Sequence, residues 1–284
     1  MSQFKFVIRY LYAPLFFIGF IGSSIYLVER GVDEAWLLML LFVAIATSFL
    51  AERIVPFEKV WNLDKGDSRK DFLHALVNEI SISATVLLVP VLVSLGFGLD
   101  LWPSSWPLWV QFGAAVIIFD FGITMTHFVS HRYEPLWRIH AIHHGVNRLY
   151  GFNGLMKHPL HQAIEITVGT LPLLILSMPM ELAALLGFAS AIQLMLQHSN
   201  VDMRVGPLIY LWAVAPGHRH HHLASKTEGD VNFGLFTMIW DHMLGTFMRD
   251  RPQPRDGDLG VAGRPDFPVT YGAQLLDPFR KIDT

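Results

Sequence analysis

Four long apolar runs constrain this chain more than any other feature. They cover residues 6–28 (FVIRYLYAPLFFIGFIGSSIYLV), 35–50 (AWLLMLLFVAIATSFL), 73–97 and 107–127. Each is near the roughly 20 residues that a helix needs to cross a bilayer. None shows the strict alternation of apolar and polar residues that marks a strand, so the sequence predicts an all-α integral membrane protein. Composition agrees: 52% of residues are hydrophobic, only 16% are charged, and the mean hydropathy is positive. Two shorter runs, 163–178 and 182–197, flank Pro179 and predict a tight helical hairpin that crosses the bilayer at a tilt or enters it part way.

The basic residues set an expected orientation, because Lys and Arg accumulate on the cytoplasmic side of short loops. With the N-terminus in the cytoplasm, Arg30 is the single one of the 21 basic residues left outside, and the loop carrying Arg53, Lys59, Lys65, Arg69 and Lys70 lies inside. The same assignment collects thirteen of the fourteen histidines, from His127 to His242, at or beyond one membrane face. The first apolar run is too long for a cleaved secretory signal and lacks a small-residue cleavage pattern. We therefore expect an N-terminal membrane hairpin with its basic loop (1–72), a histidine-bearing region (73–248), and a Pro-, Gly- and Asp-rich tail (249–284) that is loosely structured.

Cysteine is absent, which excludes disulfides, zinc–thiolate sites, iron–sulfur clusters and thiol nucleophiles. A net charge of −3 gives no reason to expect a nucleic-acid partner. Metal chemistry here rests on nitrogen and oxygen, and the histidines carry ligand spacing. His127 and His131 are four apart and face one way on a helix. His140, His143 and His144 combine spacings of three and four, and His218, His221 and His222 repeat that arrangement within GHRHHHLAS, with His220 pointing elsewhere. A pH-sensing cluster would also use imidazole, but sensing does not require repeated ligand spacing.

These motifs, HFVSH, HAIHH and HRHHH, together with QHSN at 197–200 and DVNFGLFTMIWDHMLGTF at 230–247, resemble the fatty acid hydroxylase and sterol desaturase family of membrane oxygenases. The resemblance covers roughly residues 50–248. It implies two irons held by His127, His131, His140, His143, His144, His198, His218, His221 and His222, with dioxygen as co-substrate and a lipid as substrate. Zinc would fit the same nitrogens, so the choice of iron comes from the resemblance alone. Soluble di-iron bundles use Glu and Glu-x-x-His instead, a pattern missing here.

Five further residues are expected near the ligands or among them. Asp120 lies two helical turns before His127 and is placed to accept a proton from a ligand imidazole. Asn200 is expected to orient His198 or hold a water, Asp241 to act behind a ligand, and His158 and His161 either to bind metal or to stand behind it. His74 and His242 are read as structural. The expected reaction is hydroxylation of an unactivated C–H bond, with desaturation as the alternative because the same histidines serve both. No haem, flavin or nucleotide signature is present, so electrons are expected from a separate reductase or small carrier. A histidine-relay metal or proton transporter would need polar residues through several spans. The first two have almost none apart from Arg9 and serines.

Overall fold

The computed structural model describes the backbone of residues 3–33, 35–94, 96 and 98–280, and their side chains outside 85–95. Among the described residues the regular structure is helical, with three isolated β-bridges and no extended strand. In chain order the α-helices are α1 (Gln3–Glu29), α2 (Ala35–Ile54), α3 (Ser68–Ser94), α4 (Leu108–Ser130), α5 (Glu134–His144), α6 (Pro159–Ile175), α7 (Met180–Gln197), α8 (Ala215–His218), α9 (Ile239–Leu244) and α10 (Tyr271–Leu276).

Helices α1, α2, α4 and α7 are long and apolar enough to cross a membrane. On α1 and α2, Leu15, Ile18, Leu38 and Phe42 are each at least 60% exposed. Apolar side chains bared in such numbers suit hydrocarbon rather than water. The innermost helix is α7, whose Leu185, Ala189, Ile192 and Leu196 have no accessible surface. It packs against α1, α2, α3 and α4. Helices α4 and α6 approach more closely than side chains would allow. A Cβ on Gly122 would lie 2.7 Å from Gly169 Cα and 2.7 Å from the Val168 carbonyl oxygen. Small residues at a membrane helix crossing let the backbones meet in this way.

The span assignment differs in one place from the sequence reading. That reading put a crossing at 73–97 and gave 182–197 only a short hairpin arm. The side chains of 85–95 fall outside the described residues, and α7 itself has the length and hydropathy of a span. The hairpin is present, with α6 and α7 joined across Pro179, which precedes the first turn of α7.

Six long helices bring one end each to a common cap. Arg9 of α1 pairs with Asp202 at 2.6 Å. Glu52 of α2 accepts hydrogen bonds from the Gly151 and Asn200 amides. His74 of α3 reaches the Lys157 carbonyl. His127, His161 and His198 stand at the corresponding ends of α4, α6 and α7. The tail is irregular, as its Pro and Gly content predicts, but it is not loose. Leu259 and Val261 are buried, the Ala224 amide donates to Asp258 O at 2.9 Å, Arg264 pairs with Asp277, and Gln274 of α10 contacts His74 at 2.8 Å. A few apolar anchors and hydrogen bonds dock a segment whose one α-helix among the described residues is the six-residue α10.

Candidate metal centre

The nine histidines expected as ligands gather into two adjacent groups. His127, His131, His140, His144 and His221 form one, and His143, His198, His218 and His222 form the other. Within each group one nitrogen per residue lies within 4.8 Å of every other. The HxxHH motifs are therefore split between the two. On α5, at about 100° per residue, His140 and His144 lie about 40° apart while His143 turns about 60° to the other side of His140. The i, i+4 pair joins the five-histidine group and His143 joins the four-histidine group. In the second motif the roles exchange: the pair His218 and His222 enters the four-histidine group, and His221 crosses to the five.

Backbone carbonyls orient the rings. His127 Nδ1–H donates to Phe233 O and His221 Nδ1–H to Val231 O, both at 2.9 Å. His143 Nδ1 faces Met156 O at 3.3 Å and His198 Nδ1 faces Leu194 O at 3.2 Å. A proton committed to Nδ1 leaves Nε2 as a lone pair. His127 Nε2 and His221 Nε2 are 2.8 Å apart, His131 Nε2 and His144 Nε2 3.1 Å, and His218 Nε2 and His222 Nε2 3.1 Å. The His198 Nε2 atom is buried without a partner. Converging lone pairs repel one another unless a cation lies between them, so the residues present fit metal ions.

Burial holds His140, His143, His144, His218, His221 and His222 well below the usual imidazole range, and neighbouring imidazoles add to the effect. All six stay neutral and ligating at physiological pH. Neither group contains a carboxylate. A purely imidazole set suits first-row transition metals rather than magnesium or calcium.

Asp120 does not reach an imidazole. Its oxygens accept from the amides of Leu235, Phe236 and Thr237, from Thr237 Oγ1 at 2.8 Å and from Trp240 Nε1 at 3.0 Å. Asp241 accepts from the Phe233 and Gly234 amides, both at 2.8 Å, and from Thr246 Oγ1. The two carboxylates clamp opposite sides of the 233–237 loop, and that loop supplies the carbonyl that orients His127. The expected proton transfer to Asp120 is thus taken over by Phe233 O, because the carboxylate is already saturated by donors.

Asn200 likewise does not orient His198. It braces the 58–62 segment, donating to Glu58 O and Asn62 Oδ1 and accepting from the Glu58 amide. His158 lies in neither group: its Nδ1 caps α6 by accepting from the Leu160 amide, and its Nε2 faces Leu275 O. His161 is also outside both groups. It packs against His140 with ring centroids 4.5 Å apart and the planes tilted by 43°, and contacts Ser130 Oγ at 2.9 Å. His220 turns to Gly217 O and Arg251 O, away from both groups.

Sequence reasoning passed over Lys157, Gln162, Glu165 and Asp230. Asp230 lies 3.4 Å from His131 Nδ1 and lines, with Arg132, Lys226, His131, His144 and His221, a surface cavity that reaches the five-histidine group. Glu165 carried a usable signal, as an ionisable residue inside an apolar run. It pairs with Lys157 at the cap end of a slot between α4, α6 and α7 that continues past Ile166 and Leu186 to Leu174 and Met178 at the hairpin turn.

The fatty acid hydroxylase family profile matches residues 112–246, a stretch that contains all nine grouped histidines. An ornithine lipid hydroxylase of Rhizobium tropici is 34% identical over 257 residues, 87% of this chain and 76% of that protein. Alkylglycerol monooxygenases of Danio rerio and Homo sapiens are each 27% identical over 146 residues, half of this chain and about a third of those proteins. No solved structure matches. With that identity sustained over most of its length, and with the nine histidines of the matched stretch assembled at one end of membrane-length helices, the chain belongs to the fatty acid hydroxylase family and is an integral membrane oxidoreductase.

Proposed function

We propose that the protein is a lipid hydroxylase holding one iron in each histidine group. The observation that carries this reading is the juxtaposition of two imidazole groups with an apolar slot whose inner end is lined by Glu165, 3.7 Å from the His161 ring that packs against His140. The overall reaction takes a substrate C–H bond, O2, two electrons and two protons to an alcohol and water. Iron, when bound, supplies the activation of dioxygen that an unactivated C–H bond requires. The rest falls to the protein. The slot strips water from a lipid chain and orients it, the carbonyls of residues 231 and 233 hold His221 and His127 in the ligating tautomer, and the buried surroundings keep water from the reacting carbon.

The relatives' names, hydroxylase and monooxygenase, favour oxygen insertion over desaturation. Electrons arrive from a separate reductase or small carrier, and the cavity beside His131, with Arg132 and Lys226 on its rim, offers the approach. The N-terminus and the histidine cap face the cytoplasm, on the distribution of basic residues.

Metal analysis of protein purified with iron present, combined with mass spectrometry of lipids from cells with and without the protein, tests the reading. The expected result is close to two irons per chain and a lipid heavier by one oxygen. An unchanged lipid profile, or a product lighter by two hydrogens, would overturn it.

A further inference from the structure

The slot between α4, α6 and α7 is apolar for most of its length but not at its inner end, where Lys157, Gln162 and Glu165 line it. The Lys157 ammonium and the Glu165 carboxylate form an ion pair with side chains only 10% and 2% exposed. Taking both charges out of water is costly. The fold does not need the pair to place Lys157, because its backbone is already tied to α3: the Lys157 carbonyl accepts from Asn78 Nδ2 at 3.1 Å and lies 3.1 Å from His74 Nδ1.

Gln162, on the same face of α6 as Glu165, has a buried amide oxygen without any partner. It too is almost fully enclosed. Buried polar atoms are normally satisfied, so this acceptor points to a donor that arrives with a ligand. The end of the slot is also the end nearest the histidines. His161 Nδ1 lies 3.7 Å from Glu165, and the Lys157 charge is felt by His143 and His198 in one group and by His221 in the other. At the opposite end Leu174, Met178 and Ala183 are apolar.

This polarity gradient decides how a lipid can lie. A chain terminus or interior methylene at the metal end would press hydrocarbon against an ion pair and leave the Gln162 oxygen unpaired. A polar head there satisfies all three groups, while its chain runs toward the hairpin turn. We propose that Lys157, Glu165 and Gln162 are the residues that read the lipid head, and that the preferred substrate is an acylated amino acid bearing both a free ammonium and a free carboxylate, seated head toward the histidines. Its carboxylate faces Lys157, its ammonium faces Glu165, and an N–H donates to Gln162. The 34%-identical ornithine lipid hydroxylase bears a name consistent with such a head. The inference rests on the lipid hydroxylase reading, and it adds that oxygen enters at the head or the carbon next to it.

Binding to the metal-free, full-length protein in lipid nanodiscs tests the head preference apart from chemistry. Native mass spectrometry would compare an N-acylated ornithine lipid with a dialkylglycerol of matched chain length. Wild-type protein is expected to prefer the zwitterionic lipid by about tenfold or more, the worth of a charge-assisted contact. The double variant Lys157→Met/Glu165→Leu, which removes the pair without stranding a charge, is expected to lose that preference. Gln162→Met alone is expected to lower it by about threefold or more, the worth of one neutral hydrogen bond, and it decides the matter if the double variant does not fold. Equal binding by wild-type protein, or an undiminished preference in correctly folded variants, overturns the proposal. In iron-loaded protein, tandem mass spectrometry of the product separates the two readings. Oxygen in the chain interior would sink the head assignment and leave the hydroxylase intact. Retained head preference with no oxygenated product would sink the hydroxylase reading instead.

Discussion

The five-histidine and four-histidine groups use the same ligand chemistry in different surroundings. His131, His144 and His221 of the larger group border the surface cavity that also carries Arg132, Lys226 and Asp230. His143, His198, His218 and His222 are buried and line neither that cavity nor the slot between α4, α6 and α7. The larger group also takes its orientation from the carbonyls of Val231 and Phe233, the latter opening the 233–237 loop that Asp120 and Asp241 clamp. The smaller leans on carbonyls of Leu194 and Met156, at the end of α7 and ahead of α6. One group is thus reachable from water and depends on a loop; the other is sealed within the helices. Under the proposed function, small molecules and electrons meet the outer group first.

The largest expected effect comes from neighbouring residues that serve different groups. His143→Ala and His144→Ala should each lower product formation by at least about a hundredfold, since loss of even the residues behind a metal ligand costs about 10–100-fold. Metal analysis should show each variant missing one equivalent, from different groups. Two full equivalents in either variant would break the partition. Next, Asp120→Ala strands the donors of residues 235–240 and should destabilise the protein by on the order of 3 kcal/mol in thermal melting. The same variant should weaken metal binding at the five-histidine group by about 10–100-fold and spare the other. Equal loss from both groups would mean that the loop supports the whole cap.

A chelator added to loaded protein should remove metal in two phases, with the five-histidine group emptying first. A single phase would show that the cavity confers no access. Acid should act on both groups alike once the metal is gone. Burial depresses the six cap imidazoles in the folded state, whereas unfolded histidine titrates near about 6.5. The unfolded chain therefore binds more protons below that pH, so metal-free protein should be most stable above about pH 6.5 and lose stability as pH falls. Melting temperatures measured from pH 8 to pH 5 check the sign. The smallest effect is expected at His220, whose ring hydrogen-bonds to backbone carbonyls away from both groups. His220→Ala should cost about 1 kcal/mol of stability and leave both metal equivalents bound.

Several of these features were legible from local pattern. The i, i+4 spacing of His127 and His131, the repeat between His140–His144 and His218–His222, and the isolation of His220 all follow from helical periodicity within a short segment. The role of His198 did not follow from spacing, because no second histidine accompanies it on α7; it came from its resemblance to a family motif. Asp120 was noticed for its cost inside an apolar run, but its partners lie 115 to 120 residues away and cannot be read from its neighbours. Asn200 and His158 were drawn toward the metal by proximity in sequence, and packing turned each to a different task. Lys157 and Gln162 gave no signal, since each is an ordinary polar residue until α4, α6 and α7 close around it.

Hydropathy and ligand spacing are properties of single segments, and from them the linear chain defines membrane-length helices and eight of the nine histidines proposed to hold metal, His198 being added by the family motif. The allocation of those nine to two groups is a property of packing. A helix turns each residue by a fixed angle, but whether His143 meets His144 or His222 depends on where α5 sits against α4, α7 and the 215–222 segment. The same holds for the slot and its charged end, which lie between helices of which two, α4 and α6, touch at glycines 122 and 169.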